Sequence, residues 1–396
     1  MLPYYKVAYN YGEYSVAQTH TIEEKAYRYE YSYDYHGGIK TIEYPYPSGE
    51  EEKKEIIKYR YNERGLLDSI EGRKGSEIIP SNYIKKITYN ANGQRKFLEY
   101  GNGDVLNYVY FPHSNYINNM YVEKKVDQDT YQLLSYWYQF DKGGNLKYLE
   151  GHVPSMGDTV TIQNYNYDVA GRLRGSDGAL NINQDSYYQE YEYDDSNRIT
   201  LFQTDINTKH YYSYYPQTHA VSVINVQRRF EGQYQLWLTT LQKNYYYDDY
   251  GNLNSQVDIP VDQGGIGGGT QPYLDLLNTG AGERNRQYQY YENNALKSIE
   301  DQGSYEIAFA YDSSGQRILK EYQSDDAYKK TIYAGPLYTI TTDGGEDASI
   351  VKHISDGNQV FASKTLNDEE TLYYIRNNIG STVLVTNEGN ADLTQT

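Results

Sequence analysis

The 396-residue chain contains no cysteine, which excludes disulfides, thiolate metal sites and thiol nucleophiles. Long apolar runs are missing too. No stretch approaches the roughly 18 residues of a membrane-crossing helix. Residues 1–16, MLPYYKVAYNYGEYSV, hold no basic segment followed by an apolar one, so no secretory leader is read there. No Asn-x-Ser/Thr sequon occurs. Positive charge is in deficit: 36 Lys and Arg stand against 54 Asp and Glu, for a formal net charge of −18. Such a surface repels phosphates and anionic lipid, so neither nucleic acid nor membrane insertion is expected.

Catalytic and cofactor signatures are equally scarce. There is no phosphate-binding G-x-x-x-x-G-K-[ST] loop and no G-x-S-x-G nucleophile elbow. The seven histidines, His20, His36, His113, His152, His210, His219 and His353, include no H-x-x-x-H or H-E-x-x-H pair. DQGGIGGGT, residues 262–270, is glycine-rich but fails the dinucleotide pattern G-x-G-x-x-G and reads as a mobile insertion. DGGEDAS, from Asp343, lacks EF-hand spacing and reads as a solvated hairpin loop. Adjacent carboxylates such as Asp248 and Asp249 carry no weight in so acidic a chain. No catalytic residue, no cofactor and no metal are expected, and the chain does not read as an enzyme.

What the sequence has in abundance is tyrosine: 52, against 7 Phe and 2 Trp. Tyrosine favours strands and joins an apolar body to a polar tip. Choosing it so heavily over Phe points to thin sheets with wet faces. Helical periodicity is poor throughout, whereas YRYEYSYDY, residues 27–35, alternates strictly, with tyrosine on one face and polar groups on the other.

A repeat organises these strands. With the aromatic anchor as position 0, copies start at Tyr33, Tyr61, Tyr89, Phe140, Tyr167, Tyr193, Tyr247, Tyr290 and Tyr311. Position +1 is Asp34, Asn62, Asn90, Asp141, Asp168, Asp194, Asp248, Tyr291 and Asp312. Position +4 is Gly37, Gly65, Gly93, Gly144, Gly171, Asn197, Gly251, Asn294 and Gly315. An Asp or Asn at the first corner of a type I turn caps it, and a Gly or Asn in the left-handed region closes it into a bulged hairpin loop. Position −2 is Tyr in seven of the nine copies, and +6 is apolar in seven, with Arg95 and Arg317 as departures. Anchor spacings are 28, 28, 51, 27, 26, 54, 43 and 21 residues. The two doubled values point to degenerate copies at Tyr108/Tyr110 and Tyr212/Tyr214. Roughly eleven two-strand units result, each too small to bury a face alone.

YDVAGRL, YDDYGNL and YDSSGQRILKEY resemble the YD repeats of the RHS (rearrangement hotspot) family. YYIRNNIGSTVLVTNEGN, from Tyr373, resembles that family's core signature, usually Tyr-x-x-Asp-His-Leu-Gly-Ser-Thr. Here Asn377, Asn378 and Ile379 replace Asp, His and Leu, while Gly380, Ser381 and Thr382 are kept. The resemblance runs from about Tyr27 to Asn390. It implies an all-β fold: a spiral antiparallel sheet of YD-repeat hairpins forming all or part of a hollow shell. It also implies an organisation into a lead-in at 1–26, hairpins over 27–322 with a Gly-rich insertion near 262–284, and a core-like segment over 323–396.

In that family similar shells enclose a toxic C-terminal domain, as in RHS polymorphic toxins and the B and C components of Tc insecticidal toxins. The family's autoprotease motif and toxin domain are not found in this chain, so no catalytic residue is carried over. The implied role is structural: enclosing or presenting a fused toxin or effector polypeptide, with other toxin-complex subunits as further partners, in a secreted or cell-surface protein. The alternative is an adhesion or carbohydrate-binding module that meets surface glycans through exposed tyrosines.

Overall fold

The computed structural model describes residues 5–46, 54–75, 81–126, 128–154, 159–180, 185–229, 237–261, 284–344, 348–366, 370–377 and 379–388. The glycine-rich stretch 262–283 and residues 345–347 of DGGEDAS lie outside them. The described residues form thirty strands, from β1 (Tyr5–Tyr11) and β2 (Ser15–Ile22) to β30 (Thr382–Asn387). Each strand pairs antiparallel with the next, so the fold is one all-β meander. Period-two alternation explains the strands. A hairpin needs only a short loop, and the repeat supplies one after every second strand.

The ladder carries one face continuously along the sheet. Directly opposed residues link Tyr59 to Ile70, Ile84 and Tyr100. Further along they link Tyr138 to Leu149 and Gln163, and then Tyr165 to Ser176 and Gln189. Tyr191, Phe202 and His210 follow, then Tyr245, Gln256 and Arg286, then Tyr288, Ile299 and Ile307. The same face ends in Thr339 and Val351, and in His353 and Ser363.

The C-terminal residues that pack on the N-terminal strands lie on the other face. Tyr338 and Lys352 are directly opposed, as are Ile354 and Ala362, and Ala362 leads on to Tyr373. Opposite faces of one sheet therefore meet. The sheet winds past itself like a scroll; a sheet folded back on itself would bring like faces together.

The scroll's pitch can be counted. β5 (Glu55–Tyr61) meets β27 (Ser349–Ser355), β7 (Ser81–Tyr89) meets β28 (Val360–Thr365), and β9 (Asp104–Tyr110) meets β30, offsets of 22, 21 and 21 strands. With strands about 4.8 Å apart, one turn is on the order of 100 Å around. Closed barrels of 16–18 strands already leave an aqueous channel, so side chains cannot fill such a turn.

Packing follows from this. The main apolar cluster joins Ile22, Tyr29, Ile57, Ile84, Leu106 and Leu134 from early strands to Tyr338, Ile354, Tyr373 and Ile375 from late ones. The described residues of 159–301, from β13 (Thr159–Tyr167) to β22 (Leu296–Asp301), contribute nothing to it and form a single-layered wall. One repeat position shows the contrast. At −2, Tyr59 and Tyr138 belong to the apolar cluster and are buried, at 3% and 5% exposure, while Tyr165, Tyr191, Tyr245 and Tyr288 in the wall are only half-buried.

Because the core lies in the overlap, Ile57→Ala or Ile354→Ala should cost about 2–5 kcal/mol, as large-to-small changes in packed cores do. Ile224→Ala, in the wall, should cost clearly less. Urea denaturation of the three variants compares them, and an equal loss at Ile224 would contradict the two-layer assignment of the core.

Candidate functional site: repeat loops, tyrosine stitches and a buried ion pair

The repeat loops share one geometry. Gly37, Gly65, Gly93, Gly144, Gly171, Asn197, Gly251, Asn294 and Gly315 all have positive φ, between 61° and 87°. Each donates its N–H to the carbonyl of the +1 residue. One side-chain oxygen of Asp34, Asn62, Asn90, Asp141, Asp168, Asp194, Asp248 and Asp312 accepts the N–H groups of residues +3 and +5. At Tyr291, which cannot accept in this way, Asn293 Oδ1 takes the N–H of Ala295. The N–H of Arg172 holds the Asp168 carboxyl below its ordinary value, and that of Arg198 does the same for Asp194. Both arginines also pair with these carboxylates at 2.6 Å.

Three further features escape the repeat pattern. The core-like segment contains the same loop: Gly380 has φ 90°, and Asn377 Oδ1 accepts from Ile379 and Ser381. Its Asn-x-x-Gly spacing is visible in the sequence but has no tyrosine anchor before it. The degenerate copies form hairpins one residue longer, with Tyr110 opposed to Ile117 and Tyr214 to Val221. Pro112 and Pro216, each two residues after its anchor, mark those turns. All these loops follow odd-numbered strands, so they line one rim of the sheet.

Several anchor tyrosines stitch their repeat to the one before. Tyr61 donates to the carbonyl of Ile39 (2.9 Å), Tyr89 to Leu67 (2.8 Å), Tyr167 to Leu146 (2.7 Å) and Tyr193 to Leu173 (2.8 Å). Each acceptor is the +6 residue of the preceding copy. The degenerate anchors do the same: Tyr110 reaches Arg95 and Tyr214 reaches Ile199.

A second set of tyrosines joins the two layers. Tyr29 donates to Ala334 (2.6 Å), Tyr44 to His353 (2.7 Å), Tyr59 to Ser355 (2.7 Å), Tyr100 to Tyr374 (3.0 Å) and Tyr108 to Arg376 (3.1 Å), always to a backbone carbonyl. Ser355 and Arg376 sit at register shifts. Bulges disrupt the ladder there and free acceptors. Burial pushes the Tyr108 hydroxyl up to about 12.

Charge is also buried in this seam. Glu55 and Lys352, 1% and 2% exposed at the side chain, form a direct ion pair between β5 and β27. Tyr83 donates to Glu55 at 2.6 Å. Burial alone would raise the Glu55 carboxyl, but Lys352, Lys364 and the Tyr83 hydroxyl bring it below its ordinary value. Asp104, fully buried, accepts from Thr386 (2.6 Å) and Asn102 (2.7 Å), and its burial raises the carboxyl. Alternation offers a signal for both partners. Glu55 shares a face with Ile57 and Tyr59, and Lys352 shares one with Ile350 and Ile354.

Among the described residues no group of three or more His, Asp or Glu could hold a metal ion. His353 Nδ1 lies 2.7 Å from Ser363 Oγ, but Ser363 is 4% exposed, out of a substrate's reach.

Solved structures with this architecture exist. The crystal structure of TcdB2-TccC3 matches 96% of this chain at TM-score 0.58 and 15% identity. The same complex without its hypervariable C-terminal region matches 96% at TM-score 0.61 and 16% identity. The Tc holotoxin pore of Photorhabdus luminescens matches 95% at TM-score 0.61 and 16% identity. The chain spans 18–19% of the length of these structures. No family model and no curated protein matches it. At such identity the likeness establishes a shared fold, the same one that the sequence resemblance to RHS shells implies.

Two variant sets test the site. Gly171 has φ 77° and open space where a Cβ would stand, so backbone strain alone sets the cost of replacing it. Gly171→Val should lose about 1–3 kcal/mol, whereas Gly171→Asn and Asp168→Asn should be nearly silent, because other copies use those residues. Tyr59→Phe should lose about 1 kcal/mol by removing one hydroxyl-to-carbonyl bond. Thermal denaturation reads all four.

For the ion pair, Glu55→Gln should cost about 3–5 kcal/mol, and the double change Glu55→Leu/Lys352→Met should restore most of it. The folded Glu55 carboxyl lies below its ordinary 4.5. Its contribution is therefore complete above that pH and is lost as the pH falls below it. Stability measured against pH should show this acid limb, and the double variant should weaken it.

Proposed function

We infer that this chain is a non-enzymatic wall segment of a protein shell that holds or presents another polypeptide, namely a toxin or effector fused to the same protein. The observation that carries the reading is the single-layered wall formed by the described residues of 159–301, none of which joins the apolar cluster of the seam. One of its faces interleaves half-buried tyrosines with Gln163, Gln189, His210, Lys243, Gln256 and Arg286. That face is too polar to nucleate a dry core and too aromatic to be inert. It suits weak, distributed contact with an unfolded chain, which a shell needs if it is to retain a cargo without fixing one structure on it.

The similar structures support the reading. They are assemblies of TcdB2 with TccC3, and one has the hypervariable C-terminal region removed. By that analogy the partners are an enclosed C-terminal polypeptide and other toxin-complex subunits, and the protein acts outside the cell that makes it.

A photo-crosslinking amino acid at Tyr191 on one face, or at Glu192 on the other, tests this in the full-length protein. Crosslinks to a toxin or effector polypeptide fused in the same protein should arise from one position and not the other, which also identifies the face that looks inward. The absence of such crosslinks at both positions would overturn the reading.

A further inference from the structure

Where the repeat loops gather at the rim, the two layers leave a cleft of about 450 Å³ between them. This lies within the range of small-molecule sites. One wall comes from the early strands and includes Tyr110, Tyr116 and Phe140; the other comes from the late loops and includes Gln359 and Asn377. The cleft therefore exists only because the scroll closes on itself.

Its chemistry is specific. Tyr116 stacks on Phe140, with ring centres 4.9 Å apart and planes within 25°, yet it remains 44% exposed. Gly144 permits this placement. Its φ is 87°, and a Cβ there would stand 2.2 Å from the Tyr116 hydroxyl oxygen. Arg95 does not make the cleft cationic, because its guanidinium lies 3.0 Å from the Asp356 carboxylate and covers the ring of Phe361 at 5.2 Å.

Several polar groups, Asn115, Tyr116 and Gln359 among them, are left to face a ligand. Asn115 Oδ1 accepts from Asn92 at 2.8 Å, which fixes the amide and leaves its Nδ2 free to donate. The Tyr116 hydroxyl and the Gln359 carboxamide likewise have no hydrogen-bond partner among the described residues.

A charged ligand would find no compensating charge here. A purely apolar one would strand the amides and the hydroxyl without partners. A neutral polyol with one apolar C–H face matches both the ring and the amides. We propose that this cleft binds a neutral pyranose, with its C–H face on the Tyr116 ring and its hydroxyls on Asn115 and Gln359. This site is separate from the wall that carries the shell reading, and either can fail without the other.

The test uses the full chain, saturation-transfer NMR, and methyl β-glucopyranoside, methyl β-galactopyranoside and N-acetylglucosamine as probes. At least one should bind with a millimolar Kd. Tyr116→Ala should weaken it about 10-fold or more, Gln359→Ala roughly fivefold, and Tyr116→Phe much less than Tyr116→Ala because the ring is retained. Tyr116 and Gln359 lie outside the apolar cluster, and circular dichroism of each variant confirms that the fold persists. If none of the probes binds up to roughly 10 mM, if binding survives both alanine variants, or if only sialylated or uronic-acid sugars bind, the proposal is overturned.

Discussion

The fold depends on the contact between opposite faces of the same sheet. A two-sided sheet one layer thick has no interior, and no hairpin in it can bury an apolar face by itself. Winding the sheet past itself supplies the missing layer, but only over the strands that overlap. There, Ile57 and Ile84 meet Ile354 and Ile375, and five tyrosine hydroxyls find carbonyls across the gap. Each such bond contributes about 1 kcal/mol net. The larger effect is that buried carbonyls at the bulges of the late strands do not go unpaired.

This explains the preference for tyrosine over phenylalanine. One repeat has to serve in covered and uncovered parts of the scroll. A tyrosine at −2 can be buried, as Tyr59 is, with its hydroxyl on a backbone carbonyl, or half-buried, as Tyr191 is, with its hydroxyl on the Gln189 side chain. Position 0 applies the same chemistry along the chain at Tyr61, Tyr89, Tyr167 and Tyr193, where the hydroxyl ties the loop to the +6 carbonyl of the preceding one. Phe140 is an informative departure. Without a hydroxyl it makes no stitch, and its ring instead supports Tyr116 in the rim cleft.

How much of this is legible in the sequence depends on the range of the interaction. The loops are legible because they are local: an Asp or Asn whose carboxyl or amide oxygen bridges two N–H groups, and a Gly or Asn at positive φ, lie within five residues of each other. The strands are legible through their period of two, and their antiparallel meander through the shortness of the loops. The scroll's pitch is not legible, since it rests on contacts such as that of Asp104 with Thr386, 282 residues apart. The resemblance to RHS shells implies a spiral but not its 21–22 strands per turn. Glu55 and Lys352 stand in plain alternation with isoleucines, yet only the folded chain brings the two charges together. The loop at Asn377 is hidden for another reason: it lacks the tyrosine by which the other copies are recognised.

The two kinds of contact also divide the labour between stability and shape. Stitches and loop caps couple nearest neighbours, so each hairpin can form as soon as the previous one exists, with little loop-closure entropy to overcome. The seam couples strands some 21 positions apart and can form only after a whole turn is laid down. Its buried Glu55–Lys352 pair is costly to assemble from water and strongly unfavourable if misaligned, because a single-strand slip would leave each charge buried alone. A purely apolar seam would tolerate sliding of one layer over the other. An ion pair set among isoleucines penalises every register but one, so its chief effect here is to fix where the scroll closes, and with that the position of the rim cleft and the width of the enclosed turn.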